Sequence, residues 1–285
     1  MERTIVITGG TSGIGLALAR HHSERGDHVV AVGSSQTGGR RLRAQAPRAR
    51  FVQADLSSVA RTTELTERLT ADHPTIDALV MAAFRYNPAR VLTSEGFEHT
   101  FALYVLNRWL MASGLRPSLD RAAAPVIVNL CGVGQGGRIH WDDLQLERRY
   151  RALDATRQGA RAAELLGAGY RSERIRYVLH NPVFVDTGLH EPFRQPVRGL
   201  VRVAAALFAQ PVGRAVPPIT AHIDRPPAAP LTAWRKARPL TLAIDAQEAA
   251  RLDDRLRTLT SPILTPPTLT PPTLTPPTLT PPTPA

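Results

Sequence analysis

The sequence predicts an α/β fold in which a doubly wound parallel sheet is covered by helices on both faces. Three features predict it: short apolar runs bounded by glycine or proline, stretches of helical spacing that alternate with them, and a glycine-rich turn between the first run and the first helix. Apolar runs alternating with helices of about 10–20 residues build βαβ units, and such units make a parallel sheet in three layers, α/β/α.

Thr4–Thr8 is a short, wholly apolar run flanked by threonine and followed by glycines, which reads as a buried strand. Ile14–Arg25 carries Leu16, Leu18 and Ala19 at helical spacing, and Gly26 stops it. Val29–Val32, Arg50–Ala54, Ile76–Met81, Pro125–Leu130 and Ile175–Leu179 read as the next five strands. Ser57 or Ser58 is placed to cap the helix after the third strand. Glu95–Leu119 reads as one long helix and Ala152–Leu166 as another. Beyond Pro182, Gly199–Ala209, Val212–Ile223 and Ala246–Leu259 read as helices, with a short strand near Leu240–Ile244.

Residues 1–259 are expected to form one domain, and the composition changes at Thr260. Leu264–Thr268 is repeated as Leu269–Thr273, Leu274–Thr278 and Leu279–Thr283, with proline at two of every five positions. Proline at that density forbids helix and sheet interior, so residues 260–285 are expected to be an extended, disordered tail. Two readings of it stand: a proline-rich recognition segment, or a neutral product of replication slippage.

The net charge is +11, yet 34 of the 35 basic side chains are arginine, they are scattered, and aromatic residues make up 5% of the chain. Without a continuous basic stripe or stacking platforms, no nucleic-acid partner is expected. No apolar run approaches the roughly 18 residues that a bilayer span needs, so no membrane partner is expected either. Met1-Glu2-Arg3 leads directly into a strand, which gives no sign of a secretory signal. Cys131 is the single cysteine, which precludes an internal disulfide and fits a reducing cytoplasm. No metal-ligand spacing is present.

The turn after the first strand is Gly9-Gly10-Thr11-Ser12-Gly13-Ile14-Gly15. It follows a strand and opens a helix, so its backbone N–H groups and the helix dipole face a common point suited to a diphosphate. Gly9 allows the tight turn, Gly13 the close approach of phosphate, and Gly15 the packing of helix on strand. With Thr8 in front, this segment resembles the T-G-x-x-x-G-I-G loop of the short-chain dehydrogenase/reductase family. Asp55-Leu56 resembles that family's acid–leucine pair at the adenine ring, and Trp141–Gln145 its retinol-dehydrogenase-like branch. The resemblance runs from about Thr4 to about Leu189. It implies a Rossmann-type fold and a nicotinamide cofactor touching Gly9, Thr11, Ser12, Gly13, Ile14, Gly15, Asp55 and Leu56. Met81-Ala82-Ala83-Phe84 stands where the family has its ribose-binding segment, which brings in Ala82 and Ala83. Pro182-Val183 replaces a Pro-Gly pair, and Thr187 would meet the carboxamide. Second-strand acids select NAD in this fold; here the strand ends in Gly33-Ser34-Ser35 with Arg40 and Arg41 beyond. That pattern favours NADP(H) over NAD(H) through Ser34 and Ser35, although the arginines also read as solvated helix charges.

The family's Asn, Ser, Tyr and Lys are largely missing. Lys236 is the only lysine, and no Tyr-x-x-x-Lys occurs anywhere. Aligning the helix near Ala152–Leu166 puts Arg157 at the tyrosine position and Arg161 at the lysine position. Arginine supplies a positive field and ribose hydrogen bonds but does not deprotonate near neutrality. In Val128-Asn129-Leu130-Cys131-Gly132, Cys131 stands where serine is expected, and it reads as a buried inert thiol or as a nucleophile. Tyr104 falls at the family's asparagine position and reads either as a replacement acid or as packing. His140 and His180 fall near the expected cleft and read as loop histidines rather than acids.

The resemblance therefore implies an atypical NAD(P)-dependent oxidoreductase acting on a small molecule, with an apolar lid at about residues 190–210. An electrophile that takes hydride without an enzymic proton donor would suit the depleted site. The alternatives are a redox-neutral cyclase, dehydratase or isomerase, or a non-catalytic cofactor-binding protein. Family members assemble through two long helices, so a homodimer or homotetramer is expected.

Overall fold

The structure, a computed structural model, describes residues 2–183 and 211–264. Strands β1 (Thr4–Thr8), β2 (His28–Gly33), β3 (Arg50–Gln53), β4 (Ala78–Met81), β5 (Val126–Leu130) and β6 (Arg176–Asn181) fall within a residue or two of expectation. With β7 (Leu231–Arg235) and β8 (Arg238–Leu240) they form one sheet in the order β3-β2-β1-β4-β5-β6-β7-β8. All neighbours are parallel except β7 and β8. The last two strands were not expected at these places. Leu231–Arg235 is only half-buried and follows Pro230, so it lacks the apolar run that marks the central strands, and β8 tolerates Pro239 because it is an edge. The strand expected near Leu240–Ile244 is found at Arg238–Leu240, sharing only Leu240.

Side chains alternate across the sheet. Ile5, Ile7, Val29, Ala31, Val126, Val128 and Val178 pack under α1 (Gly13–Glu24), α2 (Gln36–Gln45) and a helix over Val212–Asp224. Val6, Val30, Leu79, Ile127, Tyr177 and Leu179 face α3 (Val59–Asp72) and the helices that follow it. Burial on both faces is why these strands read as continuous apolar runs.

The helix expected over Glu95–Leu119 is broken. α4 (His99–Phe101) passes into a π-helical turn over Ala102–Leu106, then α5 (Asn107–Gly114) and, after a break at Leu115, α6 (Arg116–Leu119) with Pro117 in its first turn. Helical periodicity is almost blind to one extra residue in a turn, so the π turn was not legible; such turns often mark functional positions. α7 (Ala152–Gly169) is three residues longer than expected at its end, and α8 (Val212–Asp224) accommodates Pro217 and Pro218. α9 (Ala246–Leu264) continues past the expected end at 259: Thr260 is fully buried and donates to the Leu256 carbonyl, so the first residues assigned to the tail belong to the domain. The expected helix over 199–209, the lid, Thr187 and the tail from 265 onward lie outside the described residues.

α9 lies across α7 and α3, and its Ala249, Leu252 and Leu256 are buried among Leu106, Leu110, Leu165 and Leu166. α9 thus packs on α7, one of the two helices expected to carry subunit contacts. Among the described residues, no helix is long and apolar enough to cross a membrane.

Candidate active site

The sheet reverses its winding between β1 and β4, and the glycine turn sits there with the loop after β4 against it. Gly9 has φ +68°, and a Cβ built on it would lie 2.8 Å from the Ala83 backbone. A Cβ on Gly15 would lie 2.3 Å from the Gly9 carbonyl oxygen, and Gly13 has φ +51°. Ser12 is the N-cap of α1 but its side chain makes no capping hydrogen bond, and Leu16 is the first amide to reach back, to the Ser12 carbonyl at 3.1 Å. The amides of Gly13, Ile14 and Gly15 therefore have no intrahelical acceptor. A bare backbone cradle with outward N–H groups at a helix N-terminus fits a dinucleotide diphosphate. Thr11 is buried against Gly33 and Gly38, where it braces the loop rather than facing solvent.

At the end of β2, Ser34 is exposed, while the Ser35 hydroxyl accepts from the Gly38 amide at 3.1 Å as the cap of α2. Ser35 is therefore committed to its own helix. Gln36 and Gln53 are hydrogen-bonded to each other beside it, and Gln53 also donates to the Ser34 carbonyl; sequence reading missed both, since the start of α2 and the end of β3 meet only in the folded chain. Arg40 is exposed and donates to Thr37. The Asp55 carboxylate accepts from the Ser57 amide and hydroxyl in an Asx turn, and Leu56 is buried in the core. Ala82 and Ala83 continue β4, with Ala82 N–H donating to the Thr8 carbonyl at 3.1 Å.

After β6, Pro182 is half-buried, and Val183 has φ +64° with its amide donating to Asn181 Oδ1. A β-branched residue there is a true outlier. The backbone keeps the conformation that glycine would favour, although the residue has changed.

The residues expected to carry catalysis divide sharply. Arg157 is exposed on α7. Arg161 donates to Glu164 at 2.9 Å, to Glu248 at 2.8 Å and to the Ala243 carbonyl at 3.1 Å, so its guanidinium ties α7 to the start of α9. Arg157 packs against Gly137 in the loop after β5, while the Arg161 guanidinium is spent on Glu164 and Glu248. Two carboxylates outcompete a cleft for a flexible cation. Cys131 is buried, and burial pushes its thiol up to about 11, so the thiolate needed for a nucleophile is disfavoured and the inert reading holds. His180 points to the opposite face of the sheet, against His222.

Tyr104 is where these residues are not. It stands in the π turn, buried, with its ring against Gly159 of α7; a Cβ on Gly159 would lie 2.2 Å from the ring. Its hydroxyl oxygen accepts from the Gly132 amide at 2.8 Å, at the C-terminal end of β5 beside Cys131. Phe84 from the loop after β4 meets the ring edge-on at 5.3 Å. Burial raises the phenol to about 12, against the pull of Arg108.

Arg108 was not among the expected residues. It is fully buried, and its guanidinium carbon lies 4.0 Å from the centroid of the Tyr104 ring. It donates to Asn129 Oδ1 and, at 3.4 Å, to the Ala83 carbonyl; Asn129 in turn donates to the Tyr177 hydroxyl at 3.0 Å. The signal was present in the spacing Tyr104-x-x-x-Arg108, one helical turn apart. Tyr150 is elsewhere, donating to the Asn87 carbonyl. Gln145, in the Trp141–Gln145 segment, holds the Glu98 amide, and Gln158 holds the His140 amide, so this loop is sewn to α4 and α7. Among the described residues, no group of three or more histidine, cysteine or acidic side chains is placed to hold a metal.

Residues 3–142 match the family model for short chain dehydrogenases. The chain is 32% identical over 192 residues to a Streptomyces sp. (strain C5) protein named "Putative daunorubicin C-13 ketoreductase DnrU", covering 61% of this chain and 66% of that one. It is 25% identical over 213 residues to a polyprenol dehydrogenase of Danio rerio, covering 69% and 66%. It is 27% identical over 246 residues to human dehydrogenase/reductase SDR family member 12, covering 74% and 75%. The chain thus spans just under two thirds of the length of the first two of these relatives. Among solved structures, an uncharacterised protein from Mycobacterium paratuberculosis superposes with a TM-score of 0.66 at 22% identity, covering 91% of this chain and 93% of that one. A Shigella flexneri protein described as a short chain dehydrogenase complexed with NADP gives 0.61 at 16% identity, covering 83% and 97%. These likenesses establish the fold, and the family model with the relatives establishes the lineage: the chain belongs to the short-chain dehydrogenase/reductase family of oxidoreductases.

Proposed function

We propose that this protein is an NADP(H)-dependent oxidoreductase of a small carbonyl or alcohol substrate in which Tyr104 is the proton donor. The observation that carries the reading is the Tyr104 hydroxyl, held by the Gly132 amide at 2.8 Å at the end of β5, while the Arg161 guanidinium on α7 is spent on Glu164 and Glu248. Because the Gly132 N–H donates to the phenol oxygen, that bond leaves the phenol's own proton for donation. The same N–H stabilises the phenolate left after donation. A dinucleotide held by the glycine turn would supply the hydride chemistry, and the residues here would handle the proton. In reduction, Tyr104 gives its proton to the substrate oxygen; in oxidation it takes one back. Such help is worth about 10²–10⁴-fold.

Gly9, Gly13, Ile14 and Gly15 would hold the diphosphate, and Ala82, Ala83 and Pro182 would line the nicotinamide end. The preference for the 2′-phosphate rests on the absence of a carboxylate from Gly33 through Arg41, with Ser34 exposed and Arg40 and Arg41 nearby. The relatives named as ketoreductase and dehydrogenases are consistent with carbonyl–alcohol chemistry. The reading assumes a reducing, cytoplasmic setting.

Tyr104→Phe tests it. Ketone reduction followed by loss of NADPH absorbance should fall by about two orders of magnitude or more, with NADPH affinity by calorimetry unchanged. Unaltered ketone turnover in this variant would show that Tyr104 is not the proton donor. No heat with either NADP(H) or NAD(H) would remove the oxidoreductase reading altogether.

A further inference from the structure

Arg108 presents a physical problem that Tyr104 answers. It is fully buried, and among the described residues no carboxylate pairs with it. Stripping an unpaired guanidinium of water costs several kcal/mol, and arginine does not escape the cost by losing its proton. What surrounds it are dipoles only: the Ala83 carbonyl, the Asn129 amide oxygen and the face of the Tyr104 ring, with its Nε–H left without a partner. A cation held this way favours any neighbour that acquires negative charge, and the neighbour stacked on it is a phenol.

We propose that Arg108 is the positioning cation of this active site, so that Tyr104-x-x-x-Arg108 on the π turn and α5 replaces the hydroxyl-and-cation couple that other family members carry on α7. The inference rests on Tyr104 being the proton donor. When the phenol O–H bond breaks and the substrate O–H bond forms, the negative charge left on Tyr104 lies between the Gly132 N–H and the Arg108 guanidinium. The electrons that reduce the substrate come from the nicotinamide, and solvent returns the proton. Asn129 accepts from Arg108 and is itself oriented by donating to Tyr177, so swinging the guanidinium from the ring costs its bonds to Asn129 and to the Ala83 carbonyl. Gly159 makes the exchange possible from the α7 side, because any side chain there would occupy the place of the ring. The other ionisable groups facing the pair are Cys131 from β5 and Tyr177 from β6; Glu164 of α7 reaches it only through Cys131, and the loop after β4 contributes Phe84 and the Ala83 carbonyl.

A fluorinated tyrosine installed at position 104, whose phenol ionises at milder pH than tyrosine's, reports the effect by its ¹⁹F shift against pH, with no cofactor or substrate present. In Arg108→Met its ionisation should move up by about one unit or more, and Arg108→Lys should restore most of that movement. If Arg108→Met does not fold, the same probe at position 177 in the otherwise unaltered protein is the comparison. Tyr177 is equally buried but contacts the cation only through Asn129, so the probe at 104 should ionise first. An unchanged titration at 104 in folded Arg108→Met, or ionisation at 104 no earlier than at 177, overturns the proposal. Because turnover is not measured, failure of Tyr104 as the proton donor would appear separately, as full activity in Tyr104→Phe.

Discussion

Acid should destabilise this protein through one pair of histidines on the face of the sheet opposite Tyr104. His180 on β6 and His222 on α8 approach to 3.2 Å through Nδ1 and Nε2, and Trp234 packs on His222 with ring centroids 5.1 Å apart. Burial pulls His180 down to about 3, with His222 adding to the effect, and burial pulls His222 down to about 4. Both folded values lie below the roughly 6.5 of an unfolded histidine, so the folded state binds fewer protons. The contribution to stability is complete above about pH 6.5 and is lost as pH falls towards 4 and then 3. At about pH 5 the unfolded imidazoles are charged and the folded ones are not, which removes on the order of 2 kcal/mol per histidine relative to about pH 8. A combined loss of about 4 kcal/mol is a large share of a typical stability of about 5–15 kcal/mol. Urea unfolding at the two pH values, followed by circular dichroism, measures it. His222→Gln carries no proton at either pH, so its pH-dependent loss should be smaller by about 2 kcal/mol. His22, His73 and His99 are also lowered by burial, but they are common to both proteins and cancel. An equal pH dependence in the variant, or NMR showing either imidazole protonated in the native state near pH 5.5, would refute the argument.

Gly15→Ala places a methyl 2.3 Å from the Gly9 carbonyl, and the strain of about 1–3 kcal/mol in the loop should weaken NADP binding about tenfold to a hundredfold by calorimetry; unchanged affinity would mean the diphosphate lies elsewhere. The Glu95 carboxylate accepts from the Ser58 hydroxyl and from the Val59 and Ala60 amides, a second cap on α3 reached from a distant loop. Glu95→Ala should cost about 1–3 kcal/mol in urea unfolding at neutral pH, and a loss below about 0.5 kcal/mol would show that water replaces it. Leu256 is fully buried on the inner face of α9, and Leu256→Ala should cost about 2–5 kcal/mol by thermal unfolding; a negligible change would mean that α9 does not pack on α7 as described.

The glycine turn, the first six strands and the fold class were legible in the residues alone because each depends on local physics. An apolar run between glycines is a buried strand whatever lies beside it, and a glycine-lined turn opening a helix presents N–H groups by geometry alone. The loss of the tyrosine–lysine couple from α7 was legible too, since a single lysine at 236 excludes it by count. Side-chain destinations were not legible, because they are set by competition among partners distant in the chain. Arg161 reads as a cofactor contact until Glu248, 87 residues on, is seen to hold it, and Ser35 reads the same way until its own helix claims it. Tyr104 and Arg108 lay in plain view at a spacing of four. Only the packed structure sets Gly159 against the phenol and Gly132 behind its oxygen, at the C-terminal end of β5.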